Sequence, residues 1–295
     1  MIPLSLLRYH GAMIRVVCRI GLRSIAPTRQ NQLQSLQPVV KQIPAPPEQL
    51  VNAYLNWCGA SGHYHDVLSP SLSPTLPPHM VSQWGLPLVA ELLFKTPFPL
   101  TKVLNQGITL DVHGELPRNQ PLLCQAYVKS IIDDDYRTRI SVVIQTGTVP
   151  QPNLVEATLH MVFINKKVPK TKREVSAATE PDWQEHGTWR ASDHDGLLFS
   201  LITGDFNPIH WLTLAGKLSA LNKKILHGFG TFARTYELLN PKQIARIDVR
   251  FLRPVPLPSG ELVVEQSTQQ VDNTVQIRLR DAEHQLHLVG TATLR

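Results

Sequence analysis

The sequence is poor in cysteine, and the few it has are not spaced for chemistry. Cys18, Cys58 and Cys124 are the only three in 295 residues, and no Cys-x-x-Cys pair occurs. That argues against a disulfide framework and fits a reducing compartment. An uninterrupted apolar run of about 18 residues, the length a membrane-spanning helix needs, is also missing. So are zinc-finger spacing, an RNP-like motif and a long basic helix, which removes nucleic acid as the explanation for a net charge of +6. With 42% hydrophobic and 18% charged residues, the composition is that of a globular protein.

The positive excess then has two explanations. One is an acidic small partner; the other is a basic leader carrying Arg8, Arg15, Arg19, Arg23 and Arg29. A secretory signal puts its charge ahead of an unbroken apolar core, and residues 2–25 do the reverse. This segment is expected to form an amphipathic basic helix, packed on the body of the protein or lying on a membrane surface. An organellar transit peptide is the third reading. The rest of the chain reads as cytoplasmic.

Composition divides the chain. Residues 1–48 are read as the basic segment followed by a linker rich in Gln and Pro, ending in Pro44-Ala45-Pro46-Pro47. Residues 167–186 are read as a solvated connection, from the charged run around Lys167 to Glu174 into small and polar residues. The units on either side, 49–166 and 187–295, repeat one order of elements. In the first, the apolar helix around Leu88 to Leu93 precedes strands at Ile108–Val112, Leu122–Ile132, Arg137–Thr148 and Leu154–Leu159. In the second, a helix over Phe232–Leu239 precedes strands at Ile244–Val249, Leu262–Gln269, Val271–Leu279 and Leu286–Leu294. Alternation through Thr274-Val275-Gln276-Ile277-Arg278-Leu279-Arg280 predicts a sheet with one covered and one solvated face. One long helix against each curved antiparallel sheet buries the covered side, which makes the fold class α+β.

The densest chemistry is Thr203-Gly204-Asp205-Phe206-Asn207-Pro208-Ile209-His210, followed by His227-Gly228. Pro208 sets its own φ and disfavours helix at Asn207, so Asp205 and His210 are expected on one stiff loop. A carboxylate and an imidazole so held can serve one small molecule as an acid/base pair. The Gly228 N–H, at the start of an apolar helix, is suited to a developing oxyanion. Upstream, Ser192 with Asp195 is a carboxylate variant of the capping box and predicts a helix start. His227 is read as structural and His79 as a loop residue. Asn207 is read as an Asx-turn former. His63 and His65 hint at a metal site, with no second cluster to complete it.

These motifs resemble those of the MaoC-like (R)-specific enoyl-thioester hydratases and dehydratases. The likeness runs through Thr203 to His210, Ile225-Leu226-His227-Gly228-Phe229, and Phe251-Leu252-Arg253-Pro254-Val255-Pro256-Leu257-Pro258-Ser259-Gly260-Glu261-Leu262. It implies two tandem hot-dog units, a double hot dog, with the catalytic loop only in the second. It implies hydration of a trans-2-enoyl thioester to an (R)-3-hydroxyacyl thioester. Asp205 and His210 would be the catalytic pair, Gly228 the oxyanion donor, and Asn207 and Pro208 the residues ordering the loop. The substrate would carry coenzyme A or the phosphopantetheine of an acyl carrier protein, and no separate cofactor or metal is implied. A monomer or a homodimer fits equally. Leu212 and Phe229 depart from the family pattern, where Asp and Met are usual, and Ser259-Gly260-Glu261 replaces a Gly-Asp pair. A hot-dog thioesterase and a non-catalytic acyl-CoA-binding protein are the alternatives.

Overall fold

The structure is a computed structural model. It describes residues 3–16, 36–60, 64, 74–94, 96–166, 181–219 and 221–295. Strand β1 (Val39–Ile43) and helix α1 (Glu48–Cys58) lead into the short β2 (Thr75–Leu76) and the long helix α2 (Val81–Leu93). Strands β3 (Leu104–Val112), β4 (Leu116–Pro117), β5 (Leu122–Asp133), β6 (Arg137–Gly147) and β7 (Val155–Ile164) complete the first unit. The second unit has β8 (Trp183–Trp189), α3 (Asp195–Thr203), α4 (Thr213–Leu218) and α5 (Gly228–Leu238). It closes with β9 (Ile244–Phe251), β10 (Leu262–Val271), β11 (Thr274–Asp281) and β12 (Leu286–Leu294).

Ten strands form one sheet in the order β1-β5-β6-β7-β3-β9-β12-β11-β10-β8. Read inward from either edge, the halves match: β1, β5, β6, β7, β3 on one side and β8, β10, β11, β12, β9 on the other. The halves meet at an antiparallel seam that runs from Gly107 opposite Arg250 to Asp111 opposite Arg246. In β11, Val275, Ile277 and Leu279 are buried and Gln276 is exposed, the alternation expected for a sheet covered on one side. Helix α2 buries Val81, Trp84, Leu88, Val89 and Leu92 against β5 and β6, the spacing of one helical face. Helix α5 buries Phe229, Phe232, Ala233 and Tyr236. The architecture is the expected double hot dog.

Helix α1 bridges the units, packing on α3 and α5. Two buried polar networks cross there. The Tyr54 hydroxyl meets His79 Nδ1 at 2.6 Å, His79 Nε2 contacts the Glu237 carboxylate, and the Tyr64 hydroxyl donates to Glu237 at 3.0 Å. Nearby, Arg234 forks onto Asp195 with two bonds of 3.0 Å, lies 4.1 Å over the Trp57 ring, and Trp57 Nε1 donates to Asp195 at 3.1 Å. His79, expected as a loop residue, is therefore a buried link between units. Its partner Glu237 lies far along the chain, so no local pattern reveals it.

Two strands lie where linker was expected. β1 falls inside residues 26–48 and pairs with β5 from Val39 opposite Ala126 to Ile43 opposite Leu122. β8 crosses the expected boundary at 186 and pairs with β10. Both are short edge strands with prolines nearby, and only pairing distinguishes them from extended linker. Residues 167–180 lie outside the described residues. β11 starts at Thr274, not Val271, because Asp272 and Asn273 take φ of +50° and +57° in a tight hairpin turn.

The N-terminal segment packs on the body over residues 3–16. A 3₁₀ turn at Leu4–Tyr9 lies against α3, with Leu6 fully buried. Among the described residues, no helix is long and apolar enough to cross a membrane.

Candidate active site

Helix α3 places the loop. The Asp195 carboxylate accepts the Ser192 N–H at 2.7 Å, the carboxylate half of a capping box, although the helix itself begins at Asp195. At Gly196 the helix comes so close to the loop that a Cβ there would stand 1.8 Å from the His210 carbonyl oxygen. The helix ends at Gly204, which takes φ of +84° and donates its N–H to Ser200 O at 2.8 Å, an αL cap. Asp205 follows at once. Asn207 Oδ1 accepts the Ile209 N–H at 3.3 Å, the expected Asx turn, and Pro208 opens a 3₁₀ turn that ends at His210. Three local devices thus bring Asp205 and His210 to one place.

His210 is almost fully buried, and its Nδ1 lies 2.9 Å from Ile225 O. A carbonyl oxygen only accepts, so Nδ1 carries the proton and Nε2 keeps its lone pair. Burial pushes the His210 pKa below its ordinary 6.5, while Asp205 and the Ile225 carbonyl oppose the shift. The ring stacks on His227 with centroids 3.6 Å apart. His227 is buried, its Nε2 donates to Asp205 O at 3.0 Å, and burial followed by His210 hold its pKa well below 6.5. A carboxylate oxygen of Asp205 and one ring nitrogen each of His210 and His227 lie within 4.8 Å of one another. Two hydrogen bonds of about 2.8 Å to one tetrahedral water oxygen separate their far atoms by about 4.6 Å, so one water fits between two such groups.

Gly228 is the first residue of α5, directly after His227. The Thr231 N–H makes the first bond, to His227 O at 2.9 Å, so the helix makes no use of the Gly228 N–H. It sits at the positive end of the helix dipole.

All five sequence-derived residues, Asp205, Asn207, Pro208, His210 and Gly228, lie on this loop or at this helix start. Sequence reasoning missed that His227 holds the Asp205 backbone and stacks on His210, and that the Ile225 carbonyl sets the His210 tautomer. A histidine beside the Gly228 helix start was the available signal for the first; a carbonyl leaves none. Among the described residues, Cys58, His79 and Glu237 are a second group of potential metal ligands. Their hydrogen bonds account for them: His79 pairs with Glu237, and the Cys58 thiol, its pKa raised by burial, donates to Leu55 O at 3.5 Å. His63 and His65 lie outside the described residues. A cavity of 540 Å³ lined by Trp57, Trp189, Arg234 and Glu237 involves neither Asp205 nor His210.

Residues 165–285 match the family profile described as "MaoC like domain". No curated protein matches the sequence. Among solved structures, a MaoC-like dehydratase from Phytophthora capsici superposes with a TM-score of 0.72 at 16% identity, covering 91% of this chain and 98% of its own. HtdX of Mycobacterium tuberculosis gives 0.69 at 18%, covering 87% and 99%. The peroxisomal multifunctional enzyme type 2 of Drosophila melanogaster gives 0.64 at 18%, covering 88% of this chain and 48% of that one. At such identities these are likenesses of fold.

Proposed function

From the premise that residues 165–285 form a MaoC-like domain within a double hot dog, we propose that the protein hydrates trans-2-enoyl thioesters reversibly to (R)-3-hydroxyacyl thioesters. The observation that carries this reading is the Asp205 carboxylate beside His210, whose Nδ1 is held by Ile225 O while its Nε2 and the Gly228 N–H have no hydrogen-bond partner among the described residues. Asp205 and His210 hold one water. As its oxygen bonds to C3, the pair takes one proton from it and the C2 carbon gains one, so the elements of water add across the double bond. The C2=C3 π electrons move toward the thioester carbonyl, and the Gly228 N–H receives the charge gathering on its oxygen. The thioester itself acidifies the C2 proton in the reverse direction, so this route calls for no metal or redox cofactor. Coenzyme A or phosphopantetheine enters as part of the substrate, in keeping with a role in acyl-thioester metabolism.

The test is incubation with crotonyl-CoA. Loss of enoyl absorbance without free thiol is the expected result. Thiol release would make the protein a thioesterase, and the absence of both would favour an acyl-thioester binder.

The acid side of the pH profile is a second check. Burial lowers the His210 pKa below 6.5, so more than half of the ring is the neutral base at pH 6.5, and it is lost as pH falls further. The expected kcat/KM is flat from about pH 7 to 8 with an acid limb whose midpoint lies below 6.5. A midpoint above 6.5 would show that Asp205, not burial, governs His210.

A further inference from the structure

We infer that His10, on the N-terminal arm and outside the matched domain, is a positioning residue for Asp205; the inference rests on the proposed reaction. His10 is almost fully buried, and its Nε2 donates to Leu201 O at 2.6 Å, in the last turn of α3. Burial lowers its pKa, which keeps the ring neutral and leaves Nδ1 as the bare nitrogen. Nδ1 faces Gly204: a Cβ built there would stand 2.9 Å from it. The same ring meets Phe206 edge-to-face with centroids 5.8 Å apart. Gly204 and Phe206 are the two chain neighbours of Asp205, so one imidazole packs on the residues before and after it. On the backbone, the His227 bond to Asp205 O completes the hold.

The arm is itself anchored. Leu6 is fully buried in the core, and Arg8 donates to Gln49 of α1 at 2.8 Å. The contact therefore ties the first unit and the arm to the loop that carries the chemistry. A group that must share one water with His210 tolerates little displacement, since a shift of about 1 Å costs on the order of 10²-fold in rate. Gly204, with its left-handed φ, gives the loop an unhindered hinge unless something covers it.

The test uses the full chain with crotonyl-CoA. His10→Ala is expected to lower kcat 10- to 100-fold with KM within twofold, because binding of the acyl chain is untouched. His10→Gln, whose amide nitrogen reaches about as far as Nε2, should recover most of that loss. Hydrogen exchange at residues 204–210 should quicken in His10→Ala while exchange in β9 and β12 stays unchanged. Overturning results are a His10→Ala enzyme with kcat within twofold of wild type, or a His10→Gln enzyme as impaired as His10→Ala. Unchanged exchange at 204–210 would overturn it equally. If the wild-type protein does not hydrate crotonyl-CoA, the proposed reaction fails, and the exchange comparison alone decides whether His10 holds the loop.

Discussion

Asp205→Asn and His210→Ala are each expected to lower hydratase turnover by roughly 10²–10⁴, the usual weight of a positioned acid/base group. The two variants differ in what else they disturb. Asparagine keeps an oxygen where Asp205 Oδ1 accepts the Asn207 N–H at 3.4 Å, so the loop survives and only proton transfer is lost. Alanine at position 210 leaves the Ile225 carbonyl without its donor, which costs about 1–3 kcal/mol of stability and lowers the melting temperature. A steady-state assay beside a thermal melt separates the effects: Asp205→Asn should melt like wild type yet turn over slowly. Near-normal turnover in either variant would remove that residue from the chemistry. The double variant should be little worse than the worse single, because two groups on one water act as a unit.

A fragment of residues 181–295, which keeps β8 and every proposed catalytic group, is expected to be poorly soluble and nearly inactive. Cutting there strips β9 of its pairing with β3 and leaves a long edge, with Ile247 and Val249 facing a core that has lost its other half. Glu237, almost fully buried in the intact chain, loses His79 and Tyr64. The Asp195–Arg234 pair loses Trp57, and Asp205 loses the His10 arm. The measurement is sedimentation and circular dichroism of the purified fragment, then the crotonyl-CoA assay. A soluble fragment with a cooperative melt and full turnover would show that the units are independent modules.

Much of the site was legible because its devices are local. Gly204 ends a helix, Asn207 forms an Asx turn and Pro208 opens the next turn, all within a few residues of the groups they place. The long strands and both central helices were legible for the same reason, since a repeat of two or of 3.6 residues is written within each element. The edge strands β1 and β8 were not. Each is a short extended run near prolines, and only a partner far along the chain makes it a strand.

By itself the sequence determined the tandem order of elements, the loop that carries Asp205 and His210, and the glycine at the start of α5. These follow from side-chain periodicity and turn chemistry, which act over a few residues. Tertiary structure alone decided that β3 and β9 join the halves into one sheet and that Ile225 fixes the His210 tautomer. It also decided that His79 links the units and that His10 reaches the loop. Such pairings depend on which surfaces meet when the core closes. Nothing in the neighbourhood of either partner along the chain encodes that meeting.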